Sequence, residues 1–328
     1  MLARNFYYIL KPYLPWHVRI ALRRIVARRK RTKSGAIWPI NEAAGHPPAG
    51  WPGWPEGKKF AVVLTHDVEG PDGLARCMEL AKLELELGFR SSFNFIPEGQ
   101  YQVTPELRAW LTDRGFEVGV HDLNHDGHLY SSPQGFMKKA RRINQYLREW
   151  GAAGFRAGFM LRNLHWVHQL DIQYDASTFD TDPFEPQPDA AGTIFPFWIK
   201  TPTGTNGTAG TPTAPPFPTT SRGGYCELPY TLPQDSTLFM LLQERTNEIW
   251  RKKLDWVAGR GGMVLLNVHP DYLPIQGDAR SSPLTVRDHY IDLLKYLSKT
   301  YGQSYWHVLP RDMAAFVLGT KDRATPTN

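Results

Sequence analysis

Three stretches of this chain gather residues able to hold a metal ion or move a proton. The first, Thr65-His66-Asp67-Val68-Glu69-Gly70, follows the apolar run Phe60–Leu64. Extended backbone there would turn Asp67 and Glu69 to one side and Val68 to the wall. Two carboxylates so placed can divide metal binding from general-base work; the plain alternative is an acidic cap on the next helix. The second stretch, His121-Asp122-Leu123-Asn124-His125-Asp126-Gly127-His128, holds three of the eleven histidines. Histidines four apart share a face of a helical turn and can chelate one divalent ion. Its alternative is a polar loop with histidines turned to solvent, but an upstream carboxylate pair favours a site of two histidines and one carboxylate. His128 offers a replacement ligand, because spacing does not choose. The third, Val268-His269-Pro270, sets a histidine where it can protonate a leaving group. Arg156, in Gly154-Phe155-Arg156, can pair with a site carboxylate and keep it ionised.

These positions gain meaning from the elements that carry them. β-rich runs recur at Phe60–Thr65, Ser91–Ile96, Phe116–Val120, near Phe155, and at Ile172–Ala176, Met263–Val268 and Tyr305–Leu309. Helical spacing fills the gaps at Leu74–Leu87, Pro105–Arg114, Phe136–Trp150, Ser236–Ala258, Leu284–Tyr301 and Arg311–Leu318. Such alternation predicts a parallel sheet, open or closed into a barrel. Functional groups of parallel sheets sit at the carboxyl edge of the strands, and all three stretches fall there. Thr201–Gly224, almost wholly Thr, Pro, Gly, Ala and Ser, predicts a surface loop, either a lid or a tolerated insertion. Residues 44–57 are dense in Pro and Gly and read as a linker.

Charge is uneven. Of 38 basic residues, ten lie within residues 1–41, which hold no acid, leaving 28 to face 32 acids. A nucleic-acid-binding core is disfavoured, because the remainder has no positive field to steer a polyanion. From Trp16 onward the arm suits a helix, with Val18, Ala21, Leu22, Ile25 and Val26 on one arc and most arginines on the other. Such a helix either packs its apolar stripe against the main domain or lies on an anionic membrane surface. Phe6–Leu10 is too short for a secretory signal, and no run reaches the roughly 18 apolar residues of a membrane span. Two cysteines, Cys77 and Cys226, make no scaffold and fit a reducing compartment. The location expected is the cytoplasm, with peripheral contact at the inner face of the membrane if the arm binds there.

The ordered set resembles the polysaccharide deacetylase family, the NodB-homology or carbohydrate esterase family 4 group, from about Phe60 to Phe316. Thr65-His66-Asp67 resembles its first motif, Thr-Phe-Asp-Asp, and His121–His125 its His-x-x-x-His. Gly154–Gly158 is similar to Phe-Arg-x-Pro, Tyr174–Ser177 to Tyr-Asp-Ser-Ser, Glu227-Leu228-Pro229 to Glu-x-Pro, and Val268-His269-Pro270 to the last motif. Val68 stands where the family has a metal-binding Asp, so Asp67-Val68-Glu69 looks like the Asp-x-Asp variant with Glu69 as ligand. Gly158 replaces the third-motif proline.

The resemblance implies a distorted (β/α)7 barrel spanning residues 58–318. Residues 1–57 would be a basic extension and linker, and 319–328 a tail. It further implies a divalent ion, zinc first among the first-row metals, on Glu69, His121 and His125. Asp67 would be the base, Arg156 its orienting partner and His269 the acid. The function expected is metal-dependent removal of N-acetyl or related acyl groups from a carbohydrate. The alternatives are a carbohydrate-binding member without turnover, or a membrane-surface scaffold working through the arm.

Overall fold

The computed structural model describes residues 16–202, 223–273 and 285–324. Most of the Thr/Pro/Gly run therefore lies outside the described residues. A nine-stranded sheet organises the rest. One strand that pairs with three others, β1 (Phe60–Val68), is buried along its whole length. That is the expected state of a β-branched, apolar run covered on both faces. Beside it run β2 (Ser92–Phe95), β3 (Glu117–His121), β4 (Gly154–Arg156) and β5 (Tyr174–Asp175), all parallel, and β8 (Met263–Asn267) flanks it on the other side. β9 (Tyr305–His307) pairs with the first half of β1.

The far edge departs from the parallel pattern. β6 (Phe197–Lys200) pairs antiparallel with β7 (Gly224–Glu227), and β7 pairs parallel with β5. The Thr/Pro/Gly run is thus the connection of a β6–β7 hairpin. The sheet order is β6-β7-β5-β4-β3-β2-β1-β8. Thr231 and Leu232 donate their N–H groups to Leu265 O at 3.0 and 3.1 Å, drawing the chain beyond β7 back to β8. The sheet is therefore curled into a distorted, incompletely laddered barrel, as anticipated.

Helices cover the outside: α1 (Trp16–Lys33), α2 (Pro71–Glu86), α3 (Pro105–Thr112), α4 (Pro133–Trp150), α5 (Glu248–Arg260), α6 (Val286–Tyr301) and α7 (Pro310–Ala324). Capping explains several starts. Thr104 and Ser132 accept from Leu107 N and Gly135 N, each ahead of a first-turn proline, and Thr285 with Asp288 forms a capping box. The single helix expected over Ser236–Ala258 is instead a π-helical turn, Ser236–Leu241, followed after a break by α5.

α1 packs against the π-helical turn, but with the opposite face to the one its amphipathicity suggests. Arg24 Nε donates to Met240 O at 3.0 Å, Lys30 Nζ to Pro183 O at 2.6 Å, and Arg31 pairs with Glu244. Ala27 is buried between them. The apolar arc points outward instead. Leu22, Ile25 and Val26 remain 47%, 49% and 52% exposed. No described helix is long and apolar enough to cross a membrane.

Candidate metal and acid–base site

At the carboxyl edge of the sheet a cavity of about 300 Å³ is lined by Asp67, Glu69, His121, His125, His269 and Tyr272, among others. The strand ends bring these residues together from positions 200 apart. β1 delivers Asp67 and, one step beyond its end, Glu69; Val68 between them is fully buried in the wall.

Asp67 is 2% exposed and held on both oxygens. Asn94 Nδ2 donates to Oδ1 and Asn267 Nδ2 to Oδ2, each at 2.9 Å. The parallel registers Asp67↔Asn94 and Thr65↔Asn267 set these contacts. Arg156, fully buried, brings Nε to 3.6 Å from Asp67 Oδ1 and donates from a terminal nitrogen to Thr65 Oγ1 at 3.1 Å. Burial would raise the Asp67 pKa, but Arg156, His121, His269 and the Asn94 hydrogen bond outweigh it and hold the carboxyl below its ordinary value. Asn94 and Asn267 were not singled out by sequence. Asn94 had a signal, a polar residue inside an otherwise apolar strand end.

Glu69, His121 and His125 form a second group, whose ligand atoms lie within 4.8 Å of one another. The histidine pair is not built on a helical turn. His121 is the last residue of β3, and Asp122 and His125 both adopt left-handed backbone, at φ 57° and 53°. Such conformations cost energy and persist where packing enforces them. Here Arg156 O accepts both Asp122 N–H at 2.8 Å and His121 Nδ1–H at 3.1 Å. The second bond fixes the tautomer that leaves His121 Nε2 a bare acceptor.

His125 stacks on Phe159 with centroids 4.3 Å apart. Gly158 permits that packing. A Cβ there would lie 2.7 Å from His125 Cδ2 and 2.6 Å from Asp122 Oδ2, which accounts physically for glycine at this position.

The group fits a divalent ion. His121 Nε2 and His125 Nε2 are buried without hydrogen bonds, the state expected of donors reserved for a metal. His125 Nε2 lies 3.3 Å from Glu69 Oε1, a charge contact rather than an aligned hydrogen bond. Burial lowers the His121 pKa and so favours the neutral ligand form. At His125 burial is outweighed by Glu69 and the pKa rises, so metal binding competes with a proton there. Glu69 is itself positioned through its backbone, whose N–H donates to Asp271 Oδ2 at 2.9 Å. His128 lies apart, at the surface, with its N–H and Nδ1 both turned to Asp126.

His269 occupies the third side, 4% exposed, its Nε2 3.8 Å from Glu69 Oε1. Asp235 accepts from His269 Nδ1 at 2.6 Å and from its backbone N–H at 2.8 Å. Burial alone would lower the imidazole pKa, but the Asp235 carboxylate dominates and raises it to about 10. The ring is thereby a proton donor at neutral pH. Asp235 escaped sequence reading because it stands beyond the strand-end motifs, at the start of the π-helical turn. Glu227, in the Glu-x-Pro segment, is fully buried and turned to Thr178 N and Oγ1 at 3.0 and 2.7 Å, away from the cavity.

No protein-family model and no curated protein sequence matches the chain. Solved structures do. PdaC, a peptidoglycan deacetylase from Bacillus subtilis, aligns over 83% of this chain and 96% of its own at TM-score 0.44 and 14% identity. A family 4 acetyl xylan esterase from Clostridium thermocellum, solved with a cobalt ion, aligns over 78% and 91% at TM-score 0.42 and 13% identity. A candidate polysaccharide deacetylase from Mycobacterium smegmatis aligns over 86% of this chain and 98% of its own, at TM-score 0.57 and 18% identity. The chain thus shares the fold of that mycobacterial structure, which is the fold its motifs led us to expect.

Proposed function

We propose that this protein is a metal-dependent hydrolase removing N-acetyl or related acyl groups from a carbohydrate. One observation carries the reading: a single cavity holds an ionised carboxylate, a two-histidine, one-carboxylate ligand set and a carboxylate-backed histidine. The fold likeness to a structure named for polysaccharide deacetylation supports the substrate class. Bound at Glu69, His121 and His125, a divalent ion would supply Lewis acidity to the acyl oxygen and to water. Zinc suits that ligand set with open positions, as do other first-row ions. Asp67 takes a proton from the attacking water, and Arg156, Asn94 and Asn267 hold it ionised and aimed. His269 gives its Nε2 proton to the departing amine, with Asp235 stabilising the imidazolium. The two free, buried cysteines fit a reducing compartment, so we place the reaction in the cytoplasm.

The experiment is metal analysis beside deacetylation assays on acetylated sugars. Asp67→Asn is expected to lower kcat by about 10²–10⁴-fold with one divalent ion per chain retained. The His121→Ala/His125→Ala double variant is expected to lose the ion with the fold intact. A stoichiometric ion in the double variant would move the site elsewhere, and no acyl release by the metal-loaded wild type would favour a binding role.

A further inference from the structure

Five large apolar side chains are exposed among the described residues, and four of them fall between positions 22 and 37: Leu22, Ile25, Val26 and Ile37, with Met78 the fifth. Leu22, Ile25 and Val26 are spaced three and four apart and share one face of α1. An ordinary surface helix turns such a face to the core and its charges to water. α1 instead leaves this face outward while Arg24, Lys30 and Arg31 bond to the protein. Exposed Arg29 and Lys33 lie on the same outward side as the apolar arc, one and two turns along from Val26.

We propose that this outward face of α1 docks on an anionic lipid bilayer. The charge decides the occupant. A helix with an apolar arc flanked by basic residues, in a segment with ten Lys/Arg and no acid, matches the boundary of a negatively charged membrane. A second copy of the chain would have to bring two such cationic segments together. The docking is tied to the cavity, because Ile20 and Arg23 of α1 form part of its lining. The helix that meets lipid is thus also a wall of the site. The inference does not depend on the chemistry proposed above, since its readout is binding.

The test is co-sedimentation of the full chain with phosphatidylglycerol and with phosphatidylcholine vesicles across a salt series. Binding is expected to phosphatidylglycerol alone and to fall by about tenfold or more as salt screens the charges. The triple variant Leu22→Ser/Ile25→Ser/Val26→Ser, altered only at outward side chains, is expected to bind at least about tenfold more weakly with an unchanged melting curve. Arg29→Glu/Lys33→Glu, which keeps the apolar arc, is expected to weaken binding and flatten its salt dependence. The proposal is overturned if wild type stays in the supernatant with anionic vesicles, or if the triple variant binds as tightly as wild type. It is equally overturned if light scattering shows a wild-type dimer that the triple variant converts to monomer, for then a second copy covers the arc.

Discussion

Asp67 and Asp235 are both buried beside the same cavity, and their neighbours give them opposite duties. Asp67 faces Arg156 and two asparagine donors, so it is held as a carboxylate in the wall of the cavity. Asp235 turns both oxygens to His269 and raises its pKa, which suits the histidine to the proposed role of acid. Asp235→Asn keeps the shape and removes the charge, leaving only Glu69 and Asp67 to oppose the burial that depresses the imidazole pKa. In the proposed reaction His269 works protonated, so its contribution is present below its pKa and lost as pH rises through it. In the wild type the alkaline limb of kcat/KM should therefore stand above the ordinary imidazole value. In Asp235→Asn the limb should move toward neutrality, with kcat at pH 8 about 10²-fold lower. A pH–rate profile on an N-acetylated sugar decides it; an alkaline limb that stays in place removes His269 as the proton donor.

The elements divide by edge, with the candidate site at the carboxyl ends of the strands and reinforcement at the amino ends. Glu117, first residue of β3, accepts from Tyr174 OH of β5 at 2.8 Å and from Arg311 N of α7 at 3.0 Å, tying three elements together. Burial raises its pKa to about 7, only partly offset by those donors. The folded protein therefore binds a proton that the unfolded chain releases near pH 4.5. Stability from this group is full below that pH and declines as pH rises toward 7. Glu117→Gln should flatten the decline, by about 2–3 kcal/mol between pH 5 and 8, in urea titrations. A variant with the wild-type slope would show that Glu117 is ionised throughout.

Sequence disclosed the elements on the apolar side of this division well. β1, β2, β3 and β8 are short runs buried at every residue, rich in β-branched and aromatic side chains and bounded by turn residues. It disclosed less where a pattern has two solutions. Ser236–Ala258 keeps helical spacing across a break that only packing reveals. The hairpin strand Phe197–Lys200 is short and half exposed, so its apolar signal is weak. Of the site, the residues on strand-end motifs were legible; Asn267 and Asp235 were not, because a hydrogen-bond partner carries no spacing rule.

At the scale of the whole molecule, residues 16–59 pack as part of the folded body. Amphipathicity located the apolar stripe of α1 but carries no sign for inside or outside, and the acidic and carbonyl partners that capture Arg24, Lys30 and Arg31 are 216, 153 and 213 residues away. The Pro/Gly/Trp stretch behaves likewise, packing by its aromatic rings while its prolines and glycines bend the chain. Trp54 is 6% exposed, donates Nε1–H to Gly261 O at 2.8 Å, and packs on Trp51, Trp306 and Phe316 with centroids 4.8, 6.1 and 5.7 Å away. These contacts sit at the amino edge of the sheet, beside the starts of β8 and β9 and opposite the cavity. A protein truncated to begin at Lys58 would lose this packing together with the α1 wall of the cavity, so it would confound anchoring with folding. Trp54→Ala in the full chain separates the two. It should cost about 3–5 kcal/mol in urea unfolding, the range for removing a buried Trp. Metal content and kcat should stay at wild-type values, because every residue of the proposed site lies at the other edge. A loss below about 1 kcal/mol would make residues 44–57 a tether after all, and a fall in metal content would mean that the two edges of the barrel are energetically coupled.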